Sequence, residues 1–351
     1  MRTNERKVYI YHHTDDDGYG GGAAIYNWLI HSSIYWDTNI FDNICDGVIY
    51  SYAVDYVRAL PDTDFINKGD VVFYIDYSFS NQVTKDQFKD LHNRGAIQYW
   101  LDHHESSKYF IDEIRELNRT EWINNPFPEN QIYYDQRISG AMIAALFPDH
   151  TNVSNILLED WKTRTPKVIQ YISDWDLFEF KLLETRAFHY GFAIVEDKLN
   201  IRSQLWQDAF NNIYIGEKTL IKNGYLIIEY EKMQNSRGLT DAFIVEICGR
   251  EVVVLNRPGN STVFGDAYDV FGLVMPYTFN GSNWKYSIFS KQKDVEAADY
   301  FDCEEFAKQY GGGGHKTAAG FTVKSPLDLE IVCRLYNHPK WVEYKKSLKE
   351  E

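Results

Sequence analysis

The sequence predicts an α/β protein: an N-terminal parallel sheet with helices on both faces, a long helical connector, and a smaller α/β domain at the C-terminal end. Three observations carry that expectation. Short apolar runs at 7–11, 47–54, 71–75 and 96–101 alternate with stretches of helical pattern, as parallel strands and their crossover helices do. The run at 96–101 is apolar almost throughout, which suits a strand buried on both faces. Three of the runs break off into Asp or His, and open α/β sheets place their ligand sites just beyond the carboxyl ends of strands.

Taken in order, 7–11 leads into His12-His13-Thr14-Asp15-Asp16-Asp17-Gly18. The glycines of Gly18-Tyr19-Gly20-Gly21-Gly22 read as a tight turn opening a helix packed closely on the sheet. The run at 71–75 ends in Asp76, and Asn81 to Arg94 reads as a helix with Gly95 beyond its end. The run at 96–101 ends in Asp102-His103-His104. Residues 139–161 have a helical pattern with a small-residue start, and 168–173 reads as a further strand delivering Asp174 and Asp176. A helical connector, broken near Gly216 and Gly224, occupies 201–233. The expected organisation is a domain over 1–198, a connector over 199–240 and a second domain over 241–351. The second domain opens with a hairpin, 243–248 and 252–257 about Gly249-Arg250. Strands at 270–275 and 284–289, a helix at 295–310 and the run Gly311-Gly312-Gly313-Gly314-His315 follow.

The chain has 351 residues, enough for two cores, and its apolar share of 44% against 25% charged is that of a globular protein. A net charge of −15 argues against sequence-independent binding of long duplex nucleic acid. It leaves room for a short phosphate-bearing ligand, because bound metal ions invert the local field. Cys45, Cys248, Cys303 and Cys333 are scattered without a C-x-x-C, which speaks against a disulfide framework and a thiolate zinc site. The first residues run directly into a strand and no apolar stretch approaches the roughly 18 residues of a membrane span. The expectation is a cytoplasmic protein without signal peptide or membrane contact.

The strand ends would gather His13, Asp15, Asp17, Asp76, Asp102, His103, His104 and Asp174 on one sheet edge. So many carboxylates repel unless cations lie between them. Oxygen and imidazole donors without sulfur suit Mn²⁺, with Mg²⁺, Co²⁺ or iron as substitutes. Asp76 is the natural bridge between two ions. Alternate residues of His-x-Asp-x-Asp would turn to one side of an extended segment. In the second half, four glycines allow close approach of backbone N–H groups to an anion, and His315 and Lys316 add donors. One glycine would serve a plain helix-to-strand turn, so four with a His favour a ligand. Gly18-x-Gly20-x-x-Ala23 matches a dinucleotide fingerprint, but the acidic run before it would repel a pyrophosphate. A P-loop reading of 311–317 fails because His315 stands where the last glycine belongs.

These residues resemble the DHH phosphoesterase superfamily. His13-Thr14-Asp15-Asp16-Asp17-Gly18, Asp76, Asp102-His103-His104 and Asp174 are similar to its four motifs, in order, and Gly312-Gly313-Gly314-His315 with Ala318-Ala319-Gly320-Phe321 looks like the signature of the DHH-associated C-terminal domain. The resemblance spans about 8–324 and implies a phosphodiesterase with two Mn²⁺ and a site between two domains. It implies that His13 and Asp15 hold one metal, and Asp17, His103 and Asp174 the other, with Asp76 between them. Asp102 would orient the imidazoles, His104 would face the scissile phosphate, and His315 with Gly312, Gly313 and Gly314 would grip the substrate. Asp176 is a rival for Asp174. Many relatives carry an arginine where Phe289 stands here; either Lys291 or Arg257 supplies that charge, or phosphate recognition differs.

The leading expectation is therefore an oligoribonuclease-like (nanoRNase-like, RecJ-related) exonuclease. It would release mononucleotides from short single-stranded RNA or DNA by two-metal in-line attack of water, and a homodimer is compatible with it. Cyclic dinucleotides, their linear products and pAp are alternative substrates. A manganese pyrophosphatase would share the first cluster but not the glycine signature, and a non-hydrolytic nucleotide sensor is the rival from another class.

Overall fold

The computed structural model describes residues 6–31, 48–128, 131–149, 165–211, 216–291 and 300–349. The chain forms two compact units, Met1–Ile227 and Ile228–Glu351.

The first unit is built on five parallel strands: β1 (Val8–His13), β2 (Ile49–Val54), β3 (Val71–Ile75), β4 (Ile97–Asp102) and β5 (Ile132–Tyr134), in the order β2-β1-β3-β4-β5. All five residues of β3 are buried, which is why its sequence does not alternate. Between strands lie α1 (Asp16–His31), α2 (Gln82–Arg94) and α3 (Ser107–Thr120), and α4 (Gly140–Leu146) follows β5. Helices α5 (Lys167–Asp176), α6 (Thr185–Ala193) and α7 (Gln204–Phe210) follow. Asn81 caps α2 by accepting from Thr84 N at 3.0 Å, and Gly95 ends it in the left-handed region at φ 82°. An aromatic core of Tyr11, Tyr74, Phe79, Phe88, Trp100 and Phe110 packs beside the sheet.

The glycine run after β1 is not a turn. Gly20, Gly21 and Gly22 sit inside α1, where a Cβ on Gly21 would come within 2.5 Å of Ile75 Cγ2 in β3. The glycines let the helix lie against the sheet, and the chain reverses in Thr14-Asp15 instead. The expected strand over 168–173 is likewise helical, within α5; a short apolar run does not distinguish the two by itself. Residues 150–161 of the helix expected over 139–161 lie outside the described residues.

Helix α8 (Glu217–Gly238) runs through Gly224 without the expected break. A Cβ on Gly224 would stand 1.6 Å from Ala187 O, and one on Gly191 would stand 1.9 Å from Leu220 O. These glycines permit a close crossing of α6 and α8, so a residue that reads as a breaker serves helix packing.

The second unit carries a seven-stranded sheet. Its strands are β6 (Phe243–Ile247), β7 (Arg250–Asn256), β8 (Leu273–Phe279), β9 (Trp284–Ser290), β10 (Gly313–His315), β11 (Ala318–Val323) and β12 (Ile331–Arg334). The order is β10-β11-β9-β8-β7-β6-β12, antiparallel except for β7 with β8. The expected hairpin is present, turning at Cys248 and Gly249 with φ 51° and 73°. Helices α9 (Asp266–Phe271), α10 (Cys303–Lys308) and α11 (Pro339–Ser347) complete the unit. The strand expected at 270–275 starts later because α9 runs to Phe271 and Gly272 ends it at φ 72°. The helix expected over 295–310 is shorter, capped at Asp302; its residues 295–299 lie outside the described ones. No helix among the described residues is long and apolar enough to cross a membrane.

Candidate metal centre

The centre lies in the first unit at the carboxyl ends of β1, β3 and β4, completed by the last turn of α5. His13 ends β1, and its Nδ1 lies 2.7 Å from Asp15 Oδ2 and 3.7 Å from Asp76 Oδ2. Asp15 Oδ1 also accepts from Gly18 N at 2.9 Å. Asp17 is not on an extended segment but in the first turn of α1. Its carboxylate receives the amides of Gly140 and Ala141, at 2.7 and 3.1 Å, from the start of α4. A Cβ on Gly140 would lie 2.6 Å from Asp76 Cβ, so only glycine lets α4 approach this closely.

Asp76 follows β3 with φ 52°, an uncommon conformation for a residue with a side chain. It is 1% exposed, and both of its carboxylate oxygens are buried without a hydrogen-bond partner among the described residues. Oδ1 lies 3.3 Å from His103 Nε2 and 3.6 Å from His104 Nδ1. His103 Nε2 is also buried without a hydrogen-bond partner, 3.4 Å from Asp176 Oδ2 and 3.8 Å from Asp17 Oδ2. Three overlapping donor groups result, His13-Asp15-Asp76, Asp76-His103-His104 and Asp17-His103-Asp176, each with ligand atoms within 4.8 Å of one another.

The electrostatics run in two directions. Burial opposes the ionisation of Asp15, yet hydrogen bonds from His13 and the Gly18 amide outweigh it and hold the group down at about 2. Asp76 is pushed well above the usual carboxylate range by burial and then by the charge of Asp17. Asp17 is raised chiefly by burial, and Asp176 by burial and then by Asp17. Buried carboxylates that crowd one another around imidazole nitrogens are the environment a divalent cation relieves. The residues fit a metal of the harder divalent class: carboxylate and imidazole donors with no sulfur among them.

Of the anticipated residues, His13, Asp15, Asp17, Asp76, His103 and His104 come together. Asp174 lies outside these groups, whereas its rival Asp176 lies in one. Asp174 Oδ1 accepts from Lys181 N at 2.8 Å, and its Oδ2 from Leu182 N at 3.1 Å and from Thr185 Oγ1. It clamps the loop between α5 and α6. A helix rotates side chains by about 100° per residue, so two positions on from Asp174 it is Asp176 that faces His103.

Asp102 stands outside the donor groups and serves His104: Oδ1 lies 2.8 Å from His104 Nδ1, and Ser107 Oγ donates to Oδ2. The other face of His104 meets Tyr56, whose hydroxyl lies 3.3 Å from His104 Nε2 and 3.3 Å from Asp76 O. The Tyr56 ring also stacks on His13, with centroids 4.3 Å apart. Sequence reasoning did not single out Tyr56. It stands just past β2, so the rule applied to the other strand ends would have reached it.

The remaining candidates belong to the second unit. Gly313, Gly314 and His315 form β10, antiparallel to β11, and Gly312 precedes it. His315 is exposed. Lys291 pairs with Asp269 at 2.6 Å on the surface, and Arg257 Nη1 donates to Gln234 O at 3.2 Å.

No family model matches the sequence. An uncharacterised protein of Acanthamoeba polyphaga mimivirus is 28% identical over 180 residues; the match covers 48% of this chain and 40% of that relative, so this chain spans less than half of the relative's length. Among solved structures, the chain is similar to a pGpG-specific phosphodiesterase, PggH, of Vibrio cholerae (13% identity, TM-score 0.45, 91% of this chain and 94% of that one). It is also similar to the DHH domain of a member of the s1p family of ribosomal proteins (14%, TM-score 0.45, 98% and 86%). A third likeness is to RecJ of Thermus thermophilus in complex with Mn²⁺ (15%, TM-score 0.44, 91% and 49%). At such identities and TM-scores, the chemistry of this chain has to be read from its own side chains.

Proposed function

We propose that the chain is a metal-dependent phosphodiesterase of the DHH superfamily that hydrolyses short single-stranded oligonucleotides to mononucleotides. One observation carries the reading. Asp76 is buried in a strained backbone conformation with both oxygens unbonded, between His13 on one side and His103 and His104 on the other. Such a carboxylate is costly unless something cationic binds it from both sides. His13 and Asp15 would hold one ion, Asp17, His103 and Asp176 a second, and Asp76 both.

A pair of Mn²⁺ ions at such a site supplies charge that neutralises a phosphate and acidifies an attacking water. The chain's own groups do the rest. The Gly140 and Ala141 amides fix Asp17, so its orientation does not depend on the ligand. Asp102 holds His104 through Nδ1, leaving Nε2 to donate to a phosphate oxygen, with the Tyr56 hydroxyl beside it. The resemblance also assigns substrate contacts to Gly312, Gly313, Gly314 and His315, with Lys291 as a source of positive charge. The acidic balance of the chain favours short substrates over long strands.

The test is to strip metal from the full chain, add back Mn²⁺, Mg²⁺ or Co²⁺, and follow labelled oligonucleotides of two to five residues against long strands. Hydrolysis is expected with Mn²⁺ and to favour the short strands. Long strands degraded equally fast would overturn the substrate class, and turnover without any divalent ion would overturn the mechanism.

A further inference from the structure

We propose that a nucleobase next to the scissile phosphate stacks in a cavity of the first unit, between the carboxylate cluster and an aromatic patch on α5 and α6. The inference rests on the phosphodiesterase reading and adds where the substrate's base goes. The cavity has a volume of about 330 Å³, near the lower end of small-ligand sites. Asp17 and Asp176, from the metal cluster, line it together with Trp175, Phe188, His189 and Phe192.

The helices set this up through their period. Trp175 lies one turn beyond Tyr171 on α5 and directly before Asp176, and Phe188 and Phe192 lie one turn apart on α6. The rings are laid flat on one another. Trp175 and His189 stack with centroids 3.6 Å apart and planes 7° apart, and Phe188 stacks on Phe192 at 5.2 Å. At the polar edge, Lys198 Nζ meets Asp16 Oδ1 at 2.6 Å, while His189 Nδ1 lies 3.7 Å from Asp16 Oδ2.

These linings select among ligands. A bare phosphate gains little, because Lys198, the one lysine among the described lining residues, is already paired with Asp16. A hydrocarbon would desolvate carboxylates without bonding to them. An uncharged planar ring with polar edges suits both sides: its faces meet the aromatic rings and its edge meets the Asp16–Lys198 pair. A nucleotide joins such a ring to a phosphate through one sugar, which would bring the phosphate to the ion that Asp17, His103 and Asp176 would hold. Stacking of this kind tolerates every base, so the site would grip bases without reading sequence.

The experiment uses the full chain with Mn²⁺ and measures equilibrium binding of adenosine 5′-monophosphate against ribose 5-phosphate. The base is expected to tighten binding at least about tenfold, within the range that base–aromatic stacking gives. His189→Ala should bring the two affinities close to equal, and His189→Phe, which keeps a ring against Trp175, should restore the preference. Equal affinities in the wild type, or a preference that survives His189→Ala, would overturn the proposal. Binding is read independently of turnover. A base preference that follows His189 in a protein that hydrolyses nothing would sink the hydrolase reading alone, and hydrolysis with no base preference would sink the cavity alone.

Discussion

The buried cluster of the first unit and the glycine turn of the second both stand out in the sequence, yet the structure explains them to different degrees. In the turn, the backbone and packing account for nearly everything. Gly311 ends α10 at φ 75°, and a Cβ on Gly312 would lie 2.2 Å from Gly320 O. Gly314 has φ 146°, and a Cβ there would lie 2.6 Å from Ala318 O. Of the four glycines, only Gly313 has open space and an ordinary φ. One glycine does not serve this turn: a tight hairpin packed on β11 calls for three, so their number does not by itself point to a ligand. The cluster is the reverse case. Asp76 and His103 hold buried polar atoms without a hydrogen-bond partner among the described residues. Unsatisfied chemistry marks a site more firmly than an unusual composition does.

The sharpest way to break this comparison is Asp76→Asn. Asparagine tolerates φ 52° and removes the charge. Mn²⁺-dependent turnover is expected to fall at least about 10³-fold, beyond the loss from removing one transition-state donor. In metal-free buffer the variant should melt at or above the wild type, by up to about 1 kcal/mol, because an uncompensated buried carboxylate is gone. Adding Mn²⁺ should raise the melting temperature of the wild type and move the variant much less. A metal-free variant clearly less stable than the wild type would show that the carboxylate is already satisfied within the protein.

A second pair separates Asp174 from its rival Asp176 at the end of α5. Asp176→Ala should weaken Mn²⁺ binding and activity at least about 10²-fold, more than the loss of an outer partner of a metal ligand. Asp174→Ala should keep the metal stoichiometry and lose about 2–4 kcal/mol of stability, since the Lys181 and Leu182 amides and the Thr185 hydroxyl lose their acceptor. The reverse pattern in metal titration and thermal unfolding would restore Asp174 to the ligand set.

That pair also shows where sequence reading stopped. The strand ends at His13, Asp76 and Asp102 were legible because a strand buried on both faces has no reason to end in metal-capable groups. Alternation of strands and helices likewise made the parallel sheet legible. Choosing between Asp174 and Asp176 needed the secondary structure. On a strand both would share one face, whereas on a helix they lie about 200° apart. The run at 168–173 is too short for its period to decide. Glycines misled in the same way: Gly20, Gly21, Gly22 and Gly224 read as turns or breaks, but they sit inside helices that pack closely. A close approach between elements distant in sequence leaves no local signal.

Tyr56→Phe probes the rim of the cluster with a smaller change. The ring that stacks on His13 stays, and only the hydroxyl near His104 Nε2 and Asp76 O is removed. If that hydroxyl orients His104 toward the phosphate, kcat should fall about tenfold, the scale of an outer partner. KM should stay near the wild-type value and stability within about 1 kcal/mol. A rise in KM at unchanged kcat would make Tyr56 a binding contact.

The smallest effects on turnover belong to the turn, where packing and ligand binding separate by position. Gly312→Ala should cost about 2 kcal/mol or more, because its Cβ meets the backbone of β11 and cannot be accommodated by a rotamer change. Gly313→Ala meets nothing and should stay within about 0.5 kcal/mol of wild type. If the open side of Gly313 and the exposed imidazole of His315 hold substrate, Gly313→Ala and His315→Ala should each raise KM a few-fold at constant stability and unchanged kcat. Should KM stay flat in both, the glycines are there for the hairpin, and substrate recognition lies with the first unit.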